Sequence, residues 1–122
     1  MESSIRRTRI EDGIATVSVR GEIDYSNAGE LADCIRDAAA DGSPRLVRVD
    51  LTDVTFIDST GLGALIEGYR ASGEAGVRFT VANPTPAFHR VLTVTGLSEF
   101  FGLPETGQAG AESPATSQAT GS

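Results

Sequence analysis

Residues 49–70 read VDLTDVTFIDSTGLGALIEGYR: apolar residues of strand type as far as Ile57, then an acidic and hydroxyl-bearing corner, then apolar residues at helical spacing. The stretch from Arg45, RLVRVDL, places Leu46, Val47, Val49 and Leu51 on a strand buried on at least one face. Val54, Thr55 and Phe56 lead from it into the corner, and a helix is predicted from about Thr60 to Ser72. A strand that turns directly into a helix marks a chain in which strands and helices alternate.

The rest of the chain agrees with that alternation. SIRRTRIEDG and IATVSVRG predict two strands joined at Asp12-Gly13, a dipeptide suited to a tight hairpin, with Gly21 closing the second strand. Asn27 followed by Glu30 predicts a capping box, with Ala28, Leu31, Cys34, Ile35 and Ala38 on one helical stripe and Gly42 as its stop. VRFTVAN predicts a further strand. Thr85-Pro86 then opens a third helix with Phe88, Val91 and Leu92 inward; Gly96 ends it, and LSEFF is read as a short edge strand. The order β-β-α-β-α-β-α-β is that of an α/β fold, a mixed four- to five-stranded sheet with an initial β-hairpin, covered by helices.

Composition narrows the function. The chain has 122 residues, a formal net charge of -7 and one cysteine. That charge argues against a nucleic-acid partner and against an anionic membrane surface. No apolar run approaches the roughly 18 residues of a membrane span and no signal peptide is read at the start, so a cytoplasmic address is expected. All ten basic residues are arginine, so no lysine is available for a Schiff base, a Walker-type loop or a general base. Residues 104–122 contain no Val, Ile, Leu, Phe or Met and are expected to be a disordered tail, leaving a single domain over 4–103.

The second helix carries the chemistry. On a helical wheel Leu62, Leu65, Ile66 and Tyr69 should face the sheet, with Gly63, Glu67 and Arg70 opposite. Gly61, Ala64 and Gly68 form a nearly bare stripe between them. An interior glycine costs a helix about 0.5–1 kcal/mol relative to alanine, which close approach of another body would offset. That body is either part of the same fold or a docking partner. At the helix start, Asp58 or Ser59 would serve as an ordinary cap, but three such residues stand in a row. A phosphate on Ser59 would meet N–H groups at the positive end of the helix and add nearly two negative charges. Asp58, together with Asp24 from the turn after the second strand, would repel that charge.

The quoted stretch resembles the signature of STAS-domain anti-sigma factor antagonists (anti-anti-sigma factors). RGEID at 20–24 resembles the second-strand motif of that family and TGLSEFF at 95–101 its closing segment. The resemblance implies the STAS fold and phosphorylation of Ser59, with Thr60 as a second candidate acceptor and Asp24 and Asp58 as acidic neighbours. It implies a docking surface at Gly61, Leu62 and Gly63, which the bare stripe would extend to Ala64 and Gly68. The implied partner is an anti-sigma factor that is itself a serine kinase carrying ATP and Mg²⁺. Bare protein would bind it and free a sigma factor, phosphorylation would break the complex, and a serine phosphatase of the PP2C type would reset it. The family usually ends in a further helix, for which PETGQAGAESP is a poor candidate. The alternative is a STAS domain that binds a small ligand or nucleotide without a kinase.

Other constellations are incomplete. Asp50 and Asp53 near a strand end would suit a phospho-acceptor receiver, which needs a lysine. His89 is the only histidine, too few ligands for a metal site. Ser59, His89 and Asp24 lack the G-x-S-x-G elbow of a hydrolase. Gly61-Leu62-Gly63 is too short for a dinucleotide loop. Cys34 reads as core. No cofactor, metal or catalytic residue is therefore expected.

Overall fold

The structure, a computed structural model, describes residues 4–102. In chain order the elements are β1 (Ile5–Arg7), β2 (Ile14–Ile23), α1 (Ala28–Ala40), β3 (Leu46–Ile57), α2 (Ser59–Glu74), β4 (Arg78–Ala82) and α3 (Pro86–Thr95). The strands form one sheet in the order β1-β2-β3-β4, with β1 antiparallel to β2 and the other neighbours parallel. This is the expected mixed α/β sheet with an initial hairpin. The expected tail at 104–122 lies outside the described residues.

The hairpin turn is where the sequence placed it. Glu11 and Ile14 exchange backbone hydrogen bonds at 3.0 and 2.9 Å across Asp12 and Gly13. Both central residues have positive φ, 55° and 80°, as a primed two-residue turn requires. The core follows from the pleat. Ala15, Val47 and Phe79 align across β2, β3 and β4, as do Val17, Val49 and Val81, and all six are buried. Between them Thr16, Arg48 and Thr80 align on the opposite, half-buried face. Leu31 and Ile35 of α1, Leu65 of α2 and Leu92 of α3 complete the same core.

Several expectations are corrected. Gly21 does not close β2: it lies inside the strand at φ 78°, between two shifts in the pairing with β3, and the strand runs on to Ile23. Residues 46–57 form one continuous strand. Asn27 precedes α1 but makes no side-chain cap, so there is no capping box. Cys34 is only partly buried against the core. In α3, Thr85 caps the Phe88 N–H and Gly96 closes the helix at φ 80°, as expected, whereas Val91 is exposed. The closing segment is a turn rather than an edge strand; the Phe101 carbonyl accepts from the Val81 N–H and the Thr80 hydroxyl, each at 2.8 Å, and this pins it beside β4.

The bare stripe of α2 turns inward. Gly61, Ala64 and Gly68 are all buried. A Cβ on Gly68 would lie 2.7 Å from Ile35 Cγ2, and one on Gly61 would lie 2.5 Å from Ile57 Cγ1 and 2.9 Å from Ile23 Cγ2. The compensating close approach is therefore α1 and the ends of β2 and β3. Those three residues cannot form the face that a partner touches. Leu62 and Ile66 pack only partly against the core, and Tyr69, 36% exposed, sits edge-on to Phe79, Phe100 and Phe101.

Candidate functional site at the start of the second helix

The site is built by parallel strand pairing. Ile23 and Ile57 are register partners at the ends of β2 and β3, and the Asp58 N–H donates to the Ile23 carbonyl at 3.1 Å. The residues that follow, Asp24 and Asp58, therefore leave the sheet side by side. This is the end of a parallel sheet at which helices begin and binding crevices form.

Asp58 is the N-cap of α2. One carboxylate oxygen accepts from the Thr60 N–H at 2.9 Å, the Gly61 N–H at 3.1 Å and the Thr60 hydroxyl. The Thr60 hydroxyl above all, then the two N–H groups, holds this carboxyl below the usual carboxylate range. Ser59, the first helical residue, is exposed, and no hydrogen bond to its hydroxyl is present among the described residues. The three adjacent polar residues thus divide the work: Asp58 caps, Thr60 locks the cap, and Ser59 faces outward. A group added to Ser59 would not find the Thr60 and Gly61 N–H donors vacant, because Asp58 already occupies them. It would stand as extra charge and bulk beside an ionised carboxylate.

Asp24 anchors the second wall. Its carboxylate accepts from the Ser26 N–H at 2.9 Å and the Ser26 hydroxyl at 2.6 Å. Asn27 braces the same turn, its Oδ1 accepting from the Asp24 N–H and its Nδ2 donating to the Glu22 carbonyl, each at 2.9 Å. At the tip of that turn Tyr25 is 84% exposed, and Phe56, paired in register with Glu22, is 54% exposed. Sequence reasoning gave Asn27 only a capping role, took Phe56 only as part of the strand, and did not single out Tyr25. The signal available was the DYSN stretch, an aspartate and an asparagine bracketing a two-residue tip.

Of the expected docking residues, Gly63 is exposed and Leu62 half-buried at this corner. A Cβ on Gly63 would meet nothing within 4 Å. Asp50, expected as a strand-end charge, is held by Thr52 and Asn83. Burial pushes the Cys34 thiol above its ordinary range. Among the described residues no cluster of three or more metal-ligating side chains forms, and no helix is long and apolar enough to cross a membrane.

With that geometry in place, the class is defined: the STAS domain family matches residues 6–109, and the chain belongs to it. Its relatives narrow the kind. The chain is 34% identical over 92 residues to the anti-sigma-F factor antagonist RsfB of Mycobacterium tuberculosis, a match covering 75% of this chain and 74% of that protein. A crystal structure of an anti-sigma factor antagonist from Mycobacterium paratuberculosis superposes with a TM-score of 0.69 at 37% identity, covering 86% of this chain and 89% of that one. The fold is also that of the anti-sigma factor antagonist SpoIIAA, at 20% identity. Its unphosphorylated form gives a TM-score of 0.68 over 79% of this chain and 84% of that one. Its phosphorylated form gives 0.64 over 79% and 86%.

Proposed function

We propose that this protein is a regulatory, non-catalytic switch in the cytoplasm, an anti-sigma factor antagonist set by phosphorylation of Ser59. Bare protein binds an anti-sigma factor that is a serine kinase carrying its own ATP and Mg²⁺, and so frees a sigma factor. The kinase transfers a phosphoryl group to the Ser59 hydroxyl, the complex parts, and a PP2C-type serine phosphatase restores the bare form. The observation that carries this reading is the outward-facing Ser59 beside a carboxylate already committed to Thr60. Asp58 already takes the Thr60 and Gly61 N–H groups, so a dianion placed there acts by repulsion from Asp58 and by the cost of desolvating it against a partner. The named activity of the relatives supports the partner class.

The test is direct. The protein is incubated with its anti-sigma kinase, ATP and Mg²⁺, and phosphate is mapped by mass spectrometry. Ser59→Ala is expected to remain unlabelled while still binding the kinase, and full labelling of that variant would overturn the site.

A second reading, a small-ligand or nucleotide domain without a kinase, has one observation in its favour. On the sheet face opposite the core, the buried Nε of Arg48 has no hydrogen-bond partner among the described residues, below a depression of about 490 Å³ shared with Thr8, Arg9 and Thr16 and also lined by the acidic Glu11 and Asp12. Calorimetric titration of nucleotides into wild type and Arg48→Ala distinguishes the two readings.

A further inference from the structure

We infer that Tyr25 is the principal anchor of the docking surface, and that Asn27 is the positioning residue that holds it there; this rests on the reading of the protein as an antagonist of an anti-sigma kinase. Tyr25 stands 84% exposed on a turn between β2 and α1, at the corner that carries Ser59. A large side chain held out in water contributes nothing to the core, yet it is the residue type that most often dominates an interface. Its usefulness as an anchor depends on how firmly its backbone is held, because ordering a loose loop on binding subtracts from affinity.

The turn is held from three directions. Asn27 ties Glu22 to Asp24 through both ends of its side-chain amide. The Asp24 carbonyl accepts from the Asn27 and Ala28 N–H groups at 3.1 and 2.9 Å, and the Asp24 carboxylate is closed on Ser26. Finally, the Ile23 carbonyl accepts from the Asp58 N–H, which joins the turn to the Ser59 corner. Tyr25 and Ser59 therefore belong to one preformed surface. The occupant is the anti-sigma factor, the partner class that the relatives' names carry, and a partner broad enough to cover both turns joined by the Ile23–Asp58 bond would take up the exposed ring.

The experiment measures binding to the anti-sigma kinase by calorimetry, with thermal melts of each free variant alongside. Tyr25→Ala is expected to weaken binding by about thirtyfold without altering the melt, because its side chain is exposed. Asn27→Ala is expected to weaken it by about five- to tenfold. In the double variant the loss due to Asn27 should shrink to within about twofold, since a brace has nothing to aim once the anchor is gone. If Asn27→Ala fails to fold, Asn27→Asp, which keeps the acceptor for the Asp24 N–H, takes its place in the cycle. Tyr25→Ala binding within about twofold of wild type overturns the anchor, and losses that simply multiply overturn the role of Asn27. A wild-type chain that binds no such kinase overturns the antagonist reading itself and this inference with it.

Discussion

The Asp58 N–H donates to the Ile23 carbonyl at 3.1 Å, and this single bond carries the sheet register one residue past its end. It makes neighbours of two turns that are far apart in sequence, one carrying Asp24 and Tyr25 and the other Ser59. The surface described above is a product of strand pairing, and perturbing the pairing or the helix start should perturb it in predictable ways.

Gly68→Ala should destabilise the fold. The added Cβ would sit 2.7, 2.8 and 3.1 Å from three atoms of Ile35, whose side chain is fully buried. Overpacking of that kind costs about 1–3 kcal/mol, against at most about 1 kcal/mol gained in helix propensity. Urea unfolding is expected to show a net loss, partly recovered in Gly68→Ala/Ile35→Val. A gain in stability would mean that α1 and α2 are not so closely apposed.

Gly21→Ala isolates backbone strain from packing. A Cβ there would meet nothing within 4 Å, but φ is 78°. The left-handed region costs an alanine roughly 1–2 kcal/mol, and asparagine less. Denaturation midpoints should therefore rank wild type above Gly21→Asn above Gly21→Ala.

The cap of α2 predicts a pH dependence. The Asp58 carboxyl is held below its ordinary range, so its stabilising effect is present above the unfolded carboxylate pKa, near 3.9, and is lost as pH falls through the lower folded value. Wild type should melt above Asp58→Asn at neutral pH, and the gap should narrow on acidification. A gap that is unchanged down to strongly acid pH would show that the cap bonds do not depend on ionisation.

Thr60 should be a poor phosphate acceptor beside Ser59. Its hydroxyl donates to Asp58, and modifying it would dismantle the cap. With the kinase, Ser59→Ala is expected to acquire no label at Thr60, while Thr60→Val remains labelled at Ser59 and melts lower than wild type. Equal labelling of the two hydroxyls would contradict the division of roles at this corner.

Much of this was legible in the chain. Asp12-Gly13, Thr85-Pro86 and Gly96 each mark a backbone geometry that few other residues tolerate, and all three turns or caps stand where the residues placed them. The corner at Asp58 was legible for the same reason, because a cap is a local event. What was not legible depends on a third body. A helical wheel assigns sides but not neighbours, and α2 packs on α1 as well as on the sheet, so Gly61 turned toward Ile57 and Ile23, Gly68 toward Ile35, and Ala64 between them is buried. Asn27 looked like a cap because Glu30 follows at capping-box spacing, but its amide found better-placed partners in Glu22 and Asp24. Gly21 looked like a strand end, whereas β2 uses it to shift register and continue.

The central claim is that one added anion at Ser59 decides which partner is held while the fold is kept. The measurement that tests it most directly is the affinity of the anti-sigma kinase for the bare and the Ser59-phosphorylated protein, taken side by side with a far-ultraviolet spectrum of each. The phosphorylated form is predicted to give the same spectrum and to bind at least about tenfold more weakly. Equal affinity of the two forms would contradict the account.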